Sequence, residues 1–449
     1  MRYFFPFLLV CFFFSSALGS WEVETADPTY NTGQYASIAL DSNDYPHIAY
    51  QYYTPSMARE LHYTFWNGTN WEYEVIDGNG PGQNSGAYCS LALDEDDIAH
   101  FSYYDLNVGA LKYATWDDTA DTWVCEIVET NDYGPGYFSC LVLDANGYSH
   151  IAYMDDGTVD YAYMDASGWH LEVAATSTGY QQYQWISMAL DSEEYPHISF
   201  HKWIGAELMY TRKSASGWSV ETVDNDGSVG TYSSIALTSD DKPLIAYRED
   251  NNLYLTRWDG SSWTRETVVA AGNAYSSLEL DSLDNPCISY SQEAIGLRYA
   301  RYNGTDWILE TVDNSSSMCG AFSSLAFDSN WQPHIAYQDA QSGTMNLKYA
   351  WYDSSSGTFS STTTNLNSDQ LLLSVSPNPA TSFIICNVSA PSQNNIELSL
   401  YDSMGRQVLN QTSTSSEIVI SVEELPDGIY ILKADCGEIN STERLVIIR

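Results

Sequence analysis

Apolar and polar residues alternate with period two through most of this chain, in short runs rich in Tyr, Val, Ile and Thr and broken by Gly, Asn, Asp and Ser. That pattern predicts strands joined by tight turns. The clearest stretch reads Ser37-Ile-Ala-Leu-Asp41, Pro46-His-Ile-Ala-Tyr50, Leu61-His-Tyr63, Trp66-Asn-Gly68 and Trp71-Glu-Tyr-Glu-Val-Ile-Asp77. The same sequence of runs then recurs to give seven copies: a first run such as Ser90 to Asp94, Ser187 to Asp191 or Ser324 to Asp328, a second ending near Tyr103, Tyr153, Phe200, Tyr247, Tyr290 and Tyr337, and a third with a Leu-x-Tyr core. Asn-Gly and Asp-Gly pairs at Gly68, Gly260 and Gly304 supply the positive φ that a hairpin demands. A repeat of roughly 48 residues made of four strands is the signature of a β-propeller blade.

The fourth run begins with Trp and carries Glu three residues on: Trp71 and Glu74, Trp123 and Glu126, Trp169 and Glu172, Trp218 and Glu221, Trp263 and Glu266, Trp307 and Glu310. Trp21 with Glu24 is a further copy that precedes the first repeat, whereas the last repeat ends in Phe359 to Thr364, which lacks the Glu. The segment Trp21 to Asp27 is therefore expected to cross to the seventh blade as its outermost strand, joining the ends of the ring and removing an exposed edge. An open eight-unit array is the alternative.

His47, His100, His150, His197 and His334 occupy one repeat position, and Asp41, Asp94, Asp144, Asp191 and Asp328 stand six residues before each. Across a short hairpin these pairs meet, which predicts an imidazole–carboxylate hydrogen bond that fixes each hairpin. A catalytic site needs one cluster rather than the same pair in blade after blade. The fifth repeat has Thr238 and Leu244 instead, and the sixth keeps Asp281 but has Cys287. The acidic turns Asp41 to Asp44, Asp94 to Asp97 and Asp191 to Glu194 offer oxygens of the kind calcium takes, although Asp, Asn and Ser favour such turns for backbone reasons alone. No other metal or cofactor is implied.

Charge and the termini add a compartment. Residues 1–20 place Arg2 before an apolar run from Tyr3 to Phe14 and small residues to Gly19, the order of a secretory signal peptide; the run is too short to span a bilayer, and no later segment reads as a transmembrane segment. With 59 acidic against 17 basic residues and a net charge of −42, binding to nucleic acid is excluded, because phosphate neutralisation needs clustered Lys and Arg. Loss of Cys11 with the leader leaves seven of the 8 cysteines, an odd, scattered set suited to packing rather than a disulfide scaffold, although Cys386 and Cys436 are close enough in sequence to pair.

After Thr364 the repeat stops; residues 365–370 read as a polar linker, and residues 371–449 as a small immunoglobulin-like β-sandwich. This last segment holds Ser374-Val-Ser-Pro377-Asn378-Pro379, Leu400-Tyr-Asp402-Ser-Met-Gly405-Arg406, Asp427-Gly428-Ile-Tyr430 and the terminal Leu445 to Arg449. On those motifs it resembles the type A C-terminal sorting domain of proteins exported by the type IX secretion system of Bacteroidota. The resemblance implies a partner, the type IX secretion machinery, and delivery to the medium or the outer-membrane surface, with the domain serving as an address.

For the ring, 21–364, the reading is a non-enzymatic module that binds glycan or a surface protein. Trp66-Asn-Gly-Thr-Asn-Trp71 and Trp258-Asp-Gly-Ser-Ser-Trp263 are similar to propeller-lectin hairpins, so Trp66 and Trp258 are candidate sugar-stacking residues, and Arg298 and Arg301 are candidate ligand contacts. Such Trp residues also serve to pack blade on blade. The alternative is a sialidase-like glycoside hydrolase or lyase acting on extracellular polysaccharide, with Arg212, Arg248, Arg257, Arg265, Arg298 and Arg301 facing a substrate carboxylate; the Asp-box turn of that group does not occur, and no catalytic pair is nominated.

Overall fold

The computed structural model describes residues 19–449 apart from 79–81, 177–184, 271–272, 342–344, 355–371 and short stretches of the last eighty residues. Residues 1–18 of the leader, the linker, Phe359 to Thr364, Pro377, Asn378, Pro379, Gly405, Asp427 and Arg449 lie outside the described residues. All regular structure described is strand, and no described helix is long and apolar enough to cross a membrane. The chain divides into two compact units, Met1–Gly357 and Thr358–Arg449.

The first unit is a seven-bladed β-propeller. Each blade is a four-stranded antiparallel sheet, the first made of Gln34–Leu40, Pro46–Tyr53, Arg59–Trp66 and Trp71–Asp77. Blades 2 to 6 follow over residues 87–130, 137–175, 186–224, 229–270 and 273–313. Blade 7 takes three strands from residues 319–353 and its fourth from Ser20–Asp27, which runs antiparallel to Asn346–Asp353 with Trp21 opposite Tyr352, Val23 opposite Ala350 and Thr25 opposite Lys348. The amino-terminal strand thus closes the ring, as its surplus Trp and Glu predict.

Burial explains the strand patterns. Second strands lie between two others and between two neighbouring blades, so they are apolar on both faces: Ile48, Tyr50, Ile151, Tyr153, Ile245 and Tyr247 are all fully buried. Complete burial stabilises by about 1.5–3 kcal/mol per large side chain. The cores run across blade boundaries, as where Leu61 and Tyr63 of blade 1 pack with Phe101 and Tyr103 of blade 2. Fourth strands face solvent and read more polar. Their Trp and Glu tie one blade to the next: Nε1 of Trp21, Trp71, Trp123, Trp169, Trp218 and Trp263 donates to Glu310, Glu24, Glu74, Glu126, Glu172 and Glu221 respectively, at 2.5–3.3 Å. Ser20–Asp27 takes part as donor through Trp21 and as acceptor through Glu24. The belt breaks once. Glu266 is held by Arg257 at 2.8 Å, and the buried Nε1 of Trp307 has no acceptor.

The second unit packs a three-stranded sheet (Leu372–Ser376, Phe383–Ser389, Glu417–Ser421) on a four-stranded one (Ile396–Asp402, Gln407–Ser413, Gly428–Cys436, Ile439–Ile447). Ile384, Ile418, Ile420, Leu398, Leu400 and Leu432 from both sheets form one core. Tyr430 is buried and its hydroxyl donates to the Pro426 carbonyl at 2.7 Å; Gly428 takes φ +154°, and Arg406 is exposed. Cys386 and Cys436 belong to this core as separate free thiols, so the pairing their sequence proximity allows is not made.

Candidate functional site

The five Asp and His pairs form, with His Nε2 at 3.2–3.7 Å from the Asp Oδ2. A third member was not anticipated. Nδ1 of His47, His100, His150, His197 and His334 faces the hydroxyl of Tyr63, Tyr113, Tyr161, Tyr210 and Tyr349, at 2.6 Å for Tyr210. The carboxylate only accepts, so Nε2 carries the proton and Nδ1 accepts from tyrosine. Burial lowers His47, His100, His150 and His197 below the ordinary value even though the carboxylates oppose it, so these imidazoles are neutral near pH 7. Each buried triad links three strands of one blade and has a structural role. Blade 5 has replaced all three members together, with Thr238, Leu244 and, opposite Ala246 where the tyrosine belongs, Leu255. Blade 6 keeps Asp281 and Tyr299; Asn285 Nδ2 donates to Asp281 Oδ2 at 3.1 Å, doing the work of the missing imidazole.

The acidic turns clasp neighbouring blades. Asp41 Oδ1 accepts from the amides of Asn43 and Tyr45, and the Asp44 carboxylate takes both the amide and the hydroxyl of Ser329 in blade 7, at 2.7 and 2.6 Å. Ser42 with Asp97, Ser192 with Asp241 and Ser239 with Asp284 repeat the clasp. Their oxygens serve backbone and hydroxyl donors, which accounts for the acidic turns without calcium.

The candidate ligand residues do not converge. Trp66 and Trp258 are half-buried at the outer hairpins of blades 1 and 5, each edge-on or tilted against the Trp that starts the fourth strand, with centroids 5.8 and 5.4 Å apart. Arg298 and Arg301 stand three apart on one strand of blade 6 and so leave opposite faces. Arg301 pairs with Glu310 at 2.9 Å and Arg298 donates to the Glu310 carbonyl at 3.0 Å. Arg257 is held by Glu266, Arg265 by Asp224 and Glu249, and Arg248 by Asn251. No arginine cluster results.

What the ring does bring together is a collar of aromatic side chains on its axis. Tyr35, Tyr88, Phe138, Trp185, Tyr232, Tyr275 and Phe322, one per blade, contact in a closed circuit with centroids 4.1–5.8 Å apart. They line a cavity of about 220 Å³. Below them Ser37, Ser90, Ser187, Ser234, Ser277 and Ser324 accept the backbone amide of the next blade at 2.9–3.2 Å, with Cys140 at the equivalent place in blade 3. Six of the first strands are bulged here, as between Gln34 and Ser37, that of blade 4 being in plain register over its described residues, and the six aromatics on the bulged strands take φ of +53° to +55°. A bulge re-aims a side chain, and a non-glycine residue in this region carries about 1–3 kcal/mol of strain. The collar escaped the sequence reading because a bulge interrupts the alternation that marks a strand; an aromatic two residues before each Ser or Cys was the available signal.

The collar lies toward the end of the ring that carries the blade-to-blade loops. That end also exposes Tyr30, Met57, Tyr133, Trp203, Ile204 and Met318. Arg248 lies 5.9 Å over the Tyr232 ring and, with Tyr275, borders a second cavity of about 280 Å³. Toward the other end the first strands of blades 3 to 7 surround a cavity of about 730 Å³ that contains Glu279. Glu279 is exposed to the lumen but surrounded by the sheets of the ring, whose desolvation raises its carboxyl to about 7; other blades have Ala39, Ala92, Val142, Ala189, Ala236 and Ala326 there.

Residues 374–448 match the family described as a secretion system C-terminal sorting domain. The chain carries a type IX sorting domain. This protein is accordingly secreted or held at the outer-membrane surface of a Bacteroidota-type cell. The sorting domain is the second unit, and the family match says nothing of the ring. No curated protein matches the chain. Among solved structures, a fungal alcohol oxidase of the AA5 family in complex with copper is similar at 10% identity and TM-score 0.51, covering 96% of this chain and 100% of that one. The SapL1 lectin in complex with alpha methyl fucoside gives 13%, TM-score 0.44, and 64% and 97% coverage; the Hadza microbial sialidase Hz136 gives 9%, 0.42, and 74% and 68%. Likeness at such identities concerns fold alone.

Proposed function

We propose that the ring is an exported, non-enzymatic binding module that takes a glycan end at the aromatic collar. The observation that carries this reading is the collar itself: seven aromatic rings in a closed circuit around a cavity, six of them on backbone with φ of +53° to +55°. Sugar C–H faces stack on such rings, and Tyr hydroxyls beside them offer polar contacts. Burial keeps the Tyr35 and Tyr275 hydroxyls protonated well above neutral pH, so they remain donors. A cavity of about 220 Å³ is below the usual small-molecule range of about 300–1,000 Å³, which suits a terminal sugar rather than a chain threaded through. Arg248 at the rim favours an acidic sugar. Trp66, Trp258, Arg298 and Arg301 lie outside this site.

Hydrolysis has weaker support. Glu279 has the raised carboxyl of a general acid, but the other carboxylates lining its cavity, Asp281 and Asp284, are held by turn amides, Asn285 and Ser239. Two free carboxyl groups flanking one bond are required.

A glycan array probed with the exported chain tests the reading. Selective binding is expected, and Trp185→Ala is expected to weaken it at least about tenfold, the scale of a lost stacking contact of 1–3 kcal/mol, with the melting temperature recorded alongside to show that the ring survives. Absence of binding to any glycan, or release of product, overturns it.

A further inference from the structure

We infer that the joint between blades 2 and 3 holds a hard divalent cation, with Glu129, Asp155 and Asp160 as its ligands. The argument comes from comparing one position around the ring. Toward the end of the second strand in blades 2, 3, 5 and 7 a tyrosine reaches the last acidic residue of the preceding blade: Tyr103 donates to Asp77, Tyr153 to Glu129, Tyr247 to Asp224 and Tyr337 to Asp313. Another carboxylate two residues after that tyrosine completes a pair, namely Asp105, Asp155, Glu249 and Asp339.

Three of these four pairs enclose a cationic side chain. In blade 2, Lys112, opposite Tyr103, bridges Asp77 and Asp105. In blade 7, Lys348, opposite Tyr337, lies 2.8 Å from Asp313 and 4.0 Å from Asp339. In blade 5 the cation comes from the fourth strand, where Arg265 meets Asp224 at 3.0 Å and also Glu249. In blade 3 the residue opposite Tyr153, at the lysine position, is Asp160. A third carboxylate thus stands where the other joints have a positive charge.

Asp160 is only 7% exposed, and its Oδ1, like Oδ1 of Asp155, is buried without a hydrogen-bond partner. The remaining polar contacts leave those oxygens available: Tyr153 serves Glu129, and Asn131 Nδ2 donates to Asp155 Oδ2 at 2.6 Å. One oxygen from each of the three residues lies within 4.8 Å of the others. Oxygens sharing one calcium at about 2.3–2.6 Å are at most about 5 Å apart, and an all-oxygen, all-carboxylate set selects a hard cation. Burial together with the neighbouring charges pushes Asp160 up to about 7, against a Thr158 hydrogen bond, whereas at the Lys348 joint the burial of Asp313 is outweighed by its partners, Lys348 first, which hold it at about 2.

The test is calcium or magnesium titration of the chelator-stripped full chain at pH 7.5, followed by calorimetry and thermal melting. One site above the diffuse background is expected, with affinity near the 10⁻⁴–10⁻³ M of extracellular modules at about that order of magnitude, and a higher melting temperature with metal. Asp160→Lys copies blades 2 and 7; it should abolish the site and melt in chelator no lower than wild type. Asp160→Asn, which preserves shape, should weaken binding at least tenfold and so decides the matter if the lysine variant does not fold. The inference is overturned if wild type shows neither heat nor stabilisation with either metal up to several millimolar, or if both variants bind as wild type does.

Discussion

Neutral imidazoles and one lumenal carboxyl, beside Asp160, shape how this protein responds to pH at the level of single residues. Burial holds His47, His100, His150 and His197 below their unfolded value, so the stability they confer is complete above the unfolded pKa and is lost as pH falls through the folded one. Glu279 works in the opposite sense for an acid. Its folded pKa is raised to about 7, the folded chain holds a proton that the unfolded chain releases, and stability therefore falls as pH rises from the ordinary carboxyl range toward 7. Glu279→Ala, which installs the residue of five other blades, is expected to raise stability at pH 8 by about 1 kcal/mol after allowance for solvent in the lumen, and to change little at pH 4. Denaturant melts at the two pH values check this. The histidine and aspartate of the triads were legible because two chemically marked residues recur at one spacing. Their tyrosine partner was visible only as part of a Leu-x-Tyr strand core, since a buried tyrosine and a packing tyrosine look alike in sequence.

The Trp and Glu of the fourth strands show how an element-level pattern becomes a link between elements. Their spacing is visible in sequence, but the acceptor lies in the preceding blade, and sequence does not say which blade's Glu a Trp will meet. Six Trp residues donate across that joint, while Trp307 has lost its acceptor to Arg257. Trp123→Phe should therefore destabilise more than Trp307→Phe by about 0.5–1.5 kcal/mol, the net value of one hydrogen bond. Urea midpoints of the two variants measure the difference; equal losses would remove the belt's energetic role. The tyrosine and carboxylate joints were less legible still, because their cation comes from a third strand in blades 2 and 7 and from a fourth strand in blade 5. A position filled by Lys, Arg or Asp carries no repeat signal until the strands are in register.

At the scale of the molecule, period-two alternation and a surplus Trp21 and Glu24 were enough to predict a seven-bladed ring closed by its own amino-terminal strand, because blade number and closure follow from counting strands. The aromatic collar was not, since six of its seven residues stand on bulges that break the alternation. The type IX tail was read from its motifs, and it explains where the ring is displayed rather than what the ring holds. Ring closure is the claim on which the collar's closed circuit and the belt's links through Trp21 and Glu24 depend, since both pass through blade 7. The direct measurement pairs Val23→Cys with Ala350→Cys, opposite residues whose Cα atoms, like those of any antiparallel partners, stand about 4.5–5.5 Å apart, within disulfide reach. Mass analysis after oxidation and denaturing alkylation should show the two joined, with a melting temperature above that of the reduced chain; two thiols alkylated separately, with no change in melting, would contradict the closed ring.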